Sequence, residues 1–212
     1  MGTVLKNLGS WFDSNLRMTD HINKASNAAF YHLHNLRRIK KYLSRDSLIT
    51  LVHAFITSRL NYCNGLLFGL PKAQIAKLQR VQNAAARLLL RIRNFSQITP
   101  ALYELHWLPV SLRIHYKILL LTFKCIYGLA RTYLSDLISI KSNSLYNLRS
   151  TGKLLLDYPK GKMFTTLGAR SFSAAAPKLW NGLPVELRQA TSLDSFKSRL
   201  KTYLFEKYFY SL

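Results

Sequence analysis

The sequence predicts a mainly α-helical fold, a basic helical bundle followed by a small α-rich carboxy-terminal region with a few short strands. Three observations lead there. Apolar residues recur at helical spacing through most of the first hundred positions. Of the 212 residues 49% are hydrophobic, enough for a buried core and too many for a disordered basic tail. The 31 Lys and Arg against 9 Asp and Glu leave a net charge of +22, and the bases gather on helix faces.

The first helix is expected over about Asp20 to Leu43, with Asp20 or Thr19 as N-cap. Ile22, Ala25, Ala29, Leu33, Leu36, Ile39 and Leu43 form its apolar stripe, while Lys24, Arg37, Arg38, Lys41 and Arg45 lie off it. Arg37-Arg38-Ile39-Lys40-Lys41 also reads as a nuclear-import signal, or as cations favouring a helix C-terminus. Ser44 begins a second helix that runs to Tyr62 or Cys63. Its apolar positions, including Leu48, Leu51, Val52, Ala54, Phe55, Ile56 and Leu60, predict burial over most of its surface, and Asn64-Gly65 or Gly69-Leu70-Pro71 ends it. From Pro71, a first-turn residue, a third helix reaches about Arg93. Leu78, Val81, Ala85, Leu88, Leu89 and Ile92 share one face of it, and Lys77, Arg80, Arg87 and Arg91 share another. No acid in that helix offsets those four.

Thr99-Pro100 opens a short helix through Trp107, which Pro109 breaks. Ser111 to Tyr127 follows as a strongly apolar helix stopped by Gly128, with Arg113, Lys117 and Lys124 on one sector. Residues 141–170 lack helical periodicity, and Leu145 to Leu148 and Leu154 to Tyr158 read as short strands. A helix over Arg170 to Trp180, a turn at Asn181-Gly182 and an amphipathic helix from Ser192 to Tyr208 close the chain; Trp180 and Phe196 read as packing residues.

The charge selects a partner class. From His21 to Tyr103 there are thirteen Lys and Arg and one acid, Asp46. An excess of this size repels itself unless a polyanion neutralises it, which makes nucleic acid or an anionic membrane surface the leading partner class, the alternative being a generally basic protein with no anionic ligand. Tyr31, Tyr42, Tyr62, Tyr103, Tyr116 and Tyr127 interleave with the bases and offer stacking platforms for unpaired bases, or else core packing. Uncharged stretches reach 12 residues, well short of the roughly 20 that a spanning helix needs, so a soluble, intracellular chain without a membrane partner is expected. Its two Cys suit a reducing compartment, nuclear or cytoplasmic.

Catalytic constellations are missing from the pattern. The acids are never closer than seven positions, Asp13 to Asp20, so adjacent metal-holding carboxylates are absent. His32, His34, His53, Cys63, His106, His115 and Cys125 show no metal-ligand spacing, and there is no P-loop, dinucleotide fingerprint or nucleophile elbow. No catalytic residue, cofactor, metal or small-molecule substrate is expected.

Several motifs taken in order resemble the carboxy-terminal part of the reverse transcriptase of non-LTR retrotransposons, the jockey-like and chicken-repeat-like LINE elements. Leu8-Gly9-Ser10-Trp11-Phe12-Asp13 with Asp20-His21-Ile22 is similar to the strand hairpin called the primer grip. Leu51-Val52-His53-Ala54-Phe55 through Leu60-Asn61-Tyr62-Cys63-Asn64, then Leu78-Gln79-Arg80-Val81-Gln82-Asn83-Ala84-Ala85-Ala86-Arg87, is similar to the thumb helices. Leu105-His106-Trp107-Leu108-Pro109-Val110, Leu148-Arg149-Ser150, Gly168-Ala169-Arg170-Ser171-Phe172 and Trp180-Asn181-Gly182-Leu183-Pro184 match the region beyond the thumb. The resemblance implies a β-hairpin remnant at residues 1–20, a thumb-like three-helix bundle at 21–93 and a post-thumb region at 94–212.

It also implies what the chain does. The parent family is an RNA-directed DNA polymerase, but its Asp-Asp metal site lies upstream of the matched segment, and a start at Met1 suggests a truncated insertion. The retained part is expected to be non-catalytic and to hold template-primer RNA, DNA or RNA-DNA hybrid through phosphates. The bases expected to do so are Lys24, Arg37, Arg38, Lys41, Arg45, Lys77, Arg80, Arg87 and Arg91. The alternatives are a helical module docking on a polymerase palm or another protein, activity with a palm supplied in trans, or a non-functional remnant. Val4, Leu8, Trp11 and Phe12 are expected to form an exposed apolar edge where a palm would pack.

Overall fold

The computed structural model describes residues 4–93, 95–141, 154–159 and 167–210. It is mainly helical with an amino-terminal antiparallel hairpin, and it divides into two compact units, one ending at Ile114 and the other beginning at His115.

The first unit opens on β1 (Leu5–Asn7) and β2 (Ser10–Phe12), with Leu5 opposite Phe12 and Lys6 opposite Trp11. Leu8 and Gly9 make the turn at φ 45° and 83°, the positive pair that matches strand twist in a two-residue hairpin. A Cβ on Gly9 would also meet the Tyr62 ring at 3.4 Å. The apolar edge is exposed at Val4 and Leu8 as expected, with Leu5 beside them, but not at Trp11 and Phe12. Leu8 and Leu5 are 85% and 70% exposed, whereas Trp11 and Phe12 are half-buried.

α1 spans Thr19–Ile39, and neither Thr19 nor Asp20 caps it. Met18 holds the N-cap position in the left-handed conformation with its side chain buried in the core, so burial takes the place of a cap bond. Ile22, Ala29, Leu33 and Leu36 are buried as the stripe predicts. Ile39 is exposed, because the helix gives way there to a 3-10 turn, Lys40–Tyr42, that does not continue the stripe.

α2 (Arg45–Val52) starts at Ser44, whose hydroxyl accepts from the Ser47 N–H at 3.1 Å. It widens into a π turn, His53–Thr57, and continues as α3 (Ser58–Asn61). The buried side chains Leu48, Val52, Ile56 and Leu60 are four apart. On a regular α-helix that spacing drifts by about 40° per step, and the wider turn takes up part of the drift. Burial is therefore one-sided, not over most of the surface as expected, and Ala54 and Phe55 face outward. Extended Tyr62 and left-handed Cys63, φ 50°, end this rod before the glycines do.

α4 (Lys72–Leu90) starts with Pro71 at the N-cap and stops at Arg91, short of Arg93. Arg91 sits at φ 54°, a left-handed ending that glycine usually supplies. Leu78, Val81, Ala85, Leu88 and Leu89 are buried. Gln74 donates to the Thr19 hydroxyl at 3.1 Å and Lys77 Nζ to Asn23 Oδ1 at 2.7 Å. These pairs climb together along both helices, so α1 and α4 run in the same direction.

α5 (Thr99–Glu104) carries Pro100 in its first turn and ends before Trp107. The segment that follows is pinned to α4. Buried Gln82 donates to the Leu108 carbonyl at 2.9 Å, and Gln79 Oε1 accepts from the Val110 N–H at 2.9 Å. α6 (Val110–Ile126) starts directly after Pro109. Arg113 near its start donates to the Leu108 carbonyl at 2.8 Å, and burial brings its guanidinium down to a pKa of about 10.

In the second unit Gly128 stops α6 at φ 67°. α7 (Thr132–Ser135), α8 (Phe172–Asn181), α9 (Val185–Arg188) and α10 (Leu193–Phe209) follow, α10 beginning where the Ser192 hydroxyl accepts from the Ser195 N–H. The core is aromatic. Phe123 stacks on Phe196 at 4.4 Å, and Trp180, fully buried, lies 5.7 Å from Phe196. Leu154 to Tyr158 is not a strand. Leu156 makes a single antiparallel bridge to Ile140, and the Asn181 amide completes it by donating to the Leu156 carbonyl and accepting from its N–H, both at 2.9 Å. Leu145 to Leu148 lies outside the described residues. Among the described residues no helix is long and apolar enough to cross a membrane.

Candidate nucleic-acid interface

The expected site residues all fall in the first unit, on α1, α2, α4 and the turns that end them. Lys24, Arg37 and Arg38 are exposed on α1, Lys41 on the 3-10 turn after it, and Arg45 at the start of α2. Of the nine cations, Arg45 alone pairs with a carboxylate among the described residues, Glu104 at 3.9 Å, with both side chains largely in solvent. Such a pair contributes little to stability. Arg45 and Arg91 come together across a hollow of about 260 Å³ that Glu104 also lines.

The cationic face of α4 is divided. Arg80 and Arg91 are exposed, but Lys77 and Arg87 are half-buried. Lys77 is committed to Asn23, and Arg87 Nη2 donates to the Ser96 carbonyl at 3.3 Å while its Nε is enclosed without a partner among the described residues. Helical phase alone put all four on one open surface. Tertiary bonds take two of them.

Exposed aromatics accompany the open cations. Lys24, Tyr31 and Arg38 follow one another at seven-residue intervals along α1, with Tyr31 65% exposed. Tyr42, also exposed, lies beneath Lys41 Nζ, 4.7 Å from the ring centroid. Tyr127 is partly exposed too but lies in the second unit, stacked on Phe123 at 4.3 Å with its hydroxyl donating to the Arg188 carbonyl. Tyr116 is half-buried, and burial pushes its phenol up.

A cleft of about 410 Å³ on this unit was not legible in the sequence. Trp11 from β2, His21 and Lys24 from α1, and Arg59 and Tyr62 at the far end of the α2–α3 rod line it. Lys24 Nζ stands 3.0 Å from the indole centroid of Trp11. Arg59 Nη2 meets His32 Nε2 at 3.2 Å, and Phe55 stacks on that imidazole at 5.0 Å. Burial, and then the Arg59 charge, holds His32 below its usual pKa range; burial alone does the same to His21. The signals available beforehand were separate ones, Lys24 as an expected phosphate contact, Trp11 in the hairpin motif and Tyr62 interleaved with bases, and nothing in their spacing joined them.

Among the described residues no group of three His, Cys, Asp or Glu side chains is placed to hold a metal ion, and Cys63 and Cys125 are free thiols. Compared with known proteins, the chain matches no family model, no curated protein and no solved structure.

Proposed function

We propose that the chain binds nucleic acid through phosphate contacts with little sequence preference, as a non-catalytic segment resembling the thumb of a non-LTR retrotransposon reverse transcriptase. One observation carries the reading. Lys24, Arg37, Arg38, Lys41, Arg80 and Arg91 are exposed on the first unit without a carboxylate partner among the described residues, and α4 contains no acid to neutralise its own bases. A solvated helix face ordinarily mixes signs, so unpaired cations of one sign fit an external polyanion. RNA, DNA and hybrid duplex all offer it. Exposed Leu5 and Leu8 on the hairpin favour a second reading, in which the same unit docks on a polymerase palm or another protein.

The test is binding of the purified chain to RNA, DNA and RNA-DNA duplexes across a salt series. Affinity is expected to fall linearly on logarithmic axes with a slope of about −0.9 for each phosphate contacted, and to vary little with sequence. Binding that ignores salt, or none at 50 mM salt, would leave the docking reading in its place.

A further inference from the structure

The cleft beside the hairpin holds cations and aromatic rings with no acid among its lining residues. Lys24 Nζ rests on the Trp11 indole, and Lys6 Nζ stands 5.6 Å from the same ring. Two ammonium groups thus lie against one indole ring in place of a carboxylate. Across the cleft the guanidinium of exposed Arg59 is held by His32, and the Tyr62 ring is fixed by its hydroxyl, which donates to the Leu8 carbonyl. Ala25 and Ala28 on α1 keep the floor open. A volume of about 410 Å³ falls within the range of small-ligand pockets and suits one nucleotide better than a duplex.

We propose that this cleft receives one unpaired nucleotide of a single strand, its base against Trp11 and Tyr62 and its phosphate between Lys24 and Arg59; the proposal rests on the nucleic-acid reading above. A phosphate oxygen is a stronger partner for an ammonium than a ring face is. Drawing Lys24 toward phosphate uncovers the indole, and a base stacks there without regard to its identity. The adjoining strand then has a track. Tyr31 and Arg38 continue from Lys24 along α1, with about 21 Å from the first to the last of the three at 1.5 Å per residue.

The experiment uses the full chain and tryptophan emission. Trp107 and Trp180 are 7% and 0% exposed and Trp11 is half-buried, so a base stacking in the cleft is reported by Trp11. An eight-residue oligouridylate is expected to quench the emission and to bind at least tenfold more tightly than uridine monophosphate. Trp11→Leu should abolish the quench and weaken single-strand binding about tenfold, leaving duplex binding within twofold. Arg59→Gln, at an exposed position, should weaken single-strand binding similarly with the quench retained at saturation. Equal affinity for monophosphate and oligomer, a stronger response to a phosphotyrosine peptide, or indifference of both variants would overturn the proposal. A wild-type chain that binds duplex but behaves in one of these ways loses only the cleft. A chain that binds no nucleic acid loses the broader reading as well.

Discussion

Arg91 offers a way to remove charge from the proposed interface without removing structure. It ends α4 at φ 54°, where an L-residue carries a left-handed penalty of about 1–2 kcal/mol. Glycine escapes that penalty, while its greater freedom in the unfolded chain gives back about 0.5–1 kcal/mol. Arg91→Gly is therefore expected to leave stability between unchanged and about 1.5 kcal/mol higher. Combined with Arg80→Gln on the exposed face of α4, it deletes two open cations. If each contacts one phosphate, the logarithmic salt slope should shrink by about 1.8. The affinity advantage of the unmodified chain over the double variant would then contract about twelvefold between 50 and 200 mM salt. Thermal melting followed by circular dichroism and a duplex titration at several salt concentrations measure both quantities. An unchanged slope in a well-folded double variant would refute the assignment of these two side chains to phosphate contacts. A fall in melting temperature for Arg91→Gly alone would refute the reasoning about the helix end.

Other consequences follow from the packing. Lys77→Gln and Arg87→Gln should act mainly on stability, each losing a bond worth about 0.5–1.5 kcal/mol, and should move the salt slope less than the Arg80 and Arg91 changes do; a slope change as large as theirs would show that the bonds to Asn23 and Ser96 open when nucleic acid binds. Asn181→Ala strands the N–H and carbonyl of buried Leu156, so a loss of about 1–3 kcal/mol is expected in denaturant titration, and an unchanged midpoint would contradict the role of that amide. His21, His32 and His115 are all held below their ordinary value of 6.5, chiefly by burial. The unfolded chain then takes up more protons than the folded one below that pH. Their contribution is complete above pH 6.5 and is lost as pH falls through the folded values. The melting temperature should drop between pH 7.5 and pH 5.5, and a flat profile would exclude proton uptake by these imidazoles as a destabilising force.

Local signals were the legible ones. Ser44 and Ser192 cap helices because a hydroxyl before an apolar period can satisfy an N–H within its own turn, and Gly128 ends one because it alone there tolerates positive φ without cost. The buried face of α4 was equally plain from spacing. What the spacing could not convey was the destination of long side chains. Lys77 and Arg87 share the outer phase with Arg80, yet their tips are captured by Asn23, 54 positions away, and by Ser96 on the following loop. Met18 displaced two good N-cap candidates because its value is tertiary, a buried thioether, whereas a cap preference is local. The cleft was hidden for the same reason. Trp11, Lys24 and Arg59 lie in separate segments and become a single site only when a hairpin and two helices meet.

The wide turn at His53–Thr57 gives the rod that carries Arg59 an angular setting of its own. Were the same residues wound at regular pitch without the widening, everything from Ser58 onward would swing by roughly 100° and advance by about 1.5 Å along the axis. Leu60 would rotate toward water, and both the guanidinium and the phenol at the cleft would leave their stations together. One surplus peptide unit thus works as an indexing tooth, fixing the orientation of distant polar groups through geometry that no single side chain supplies.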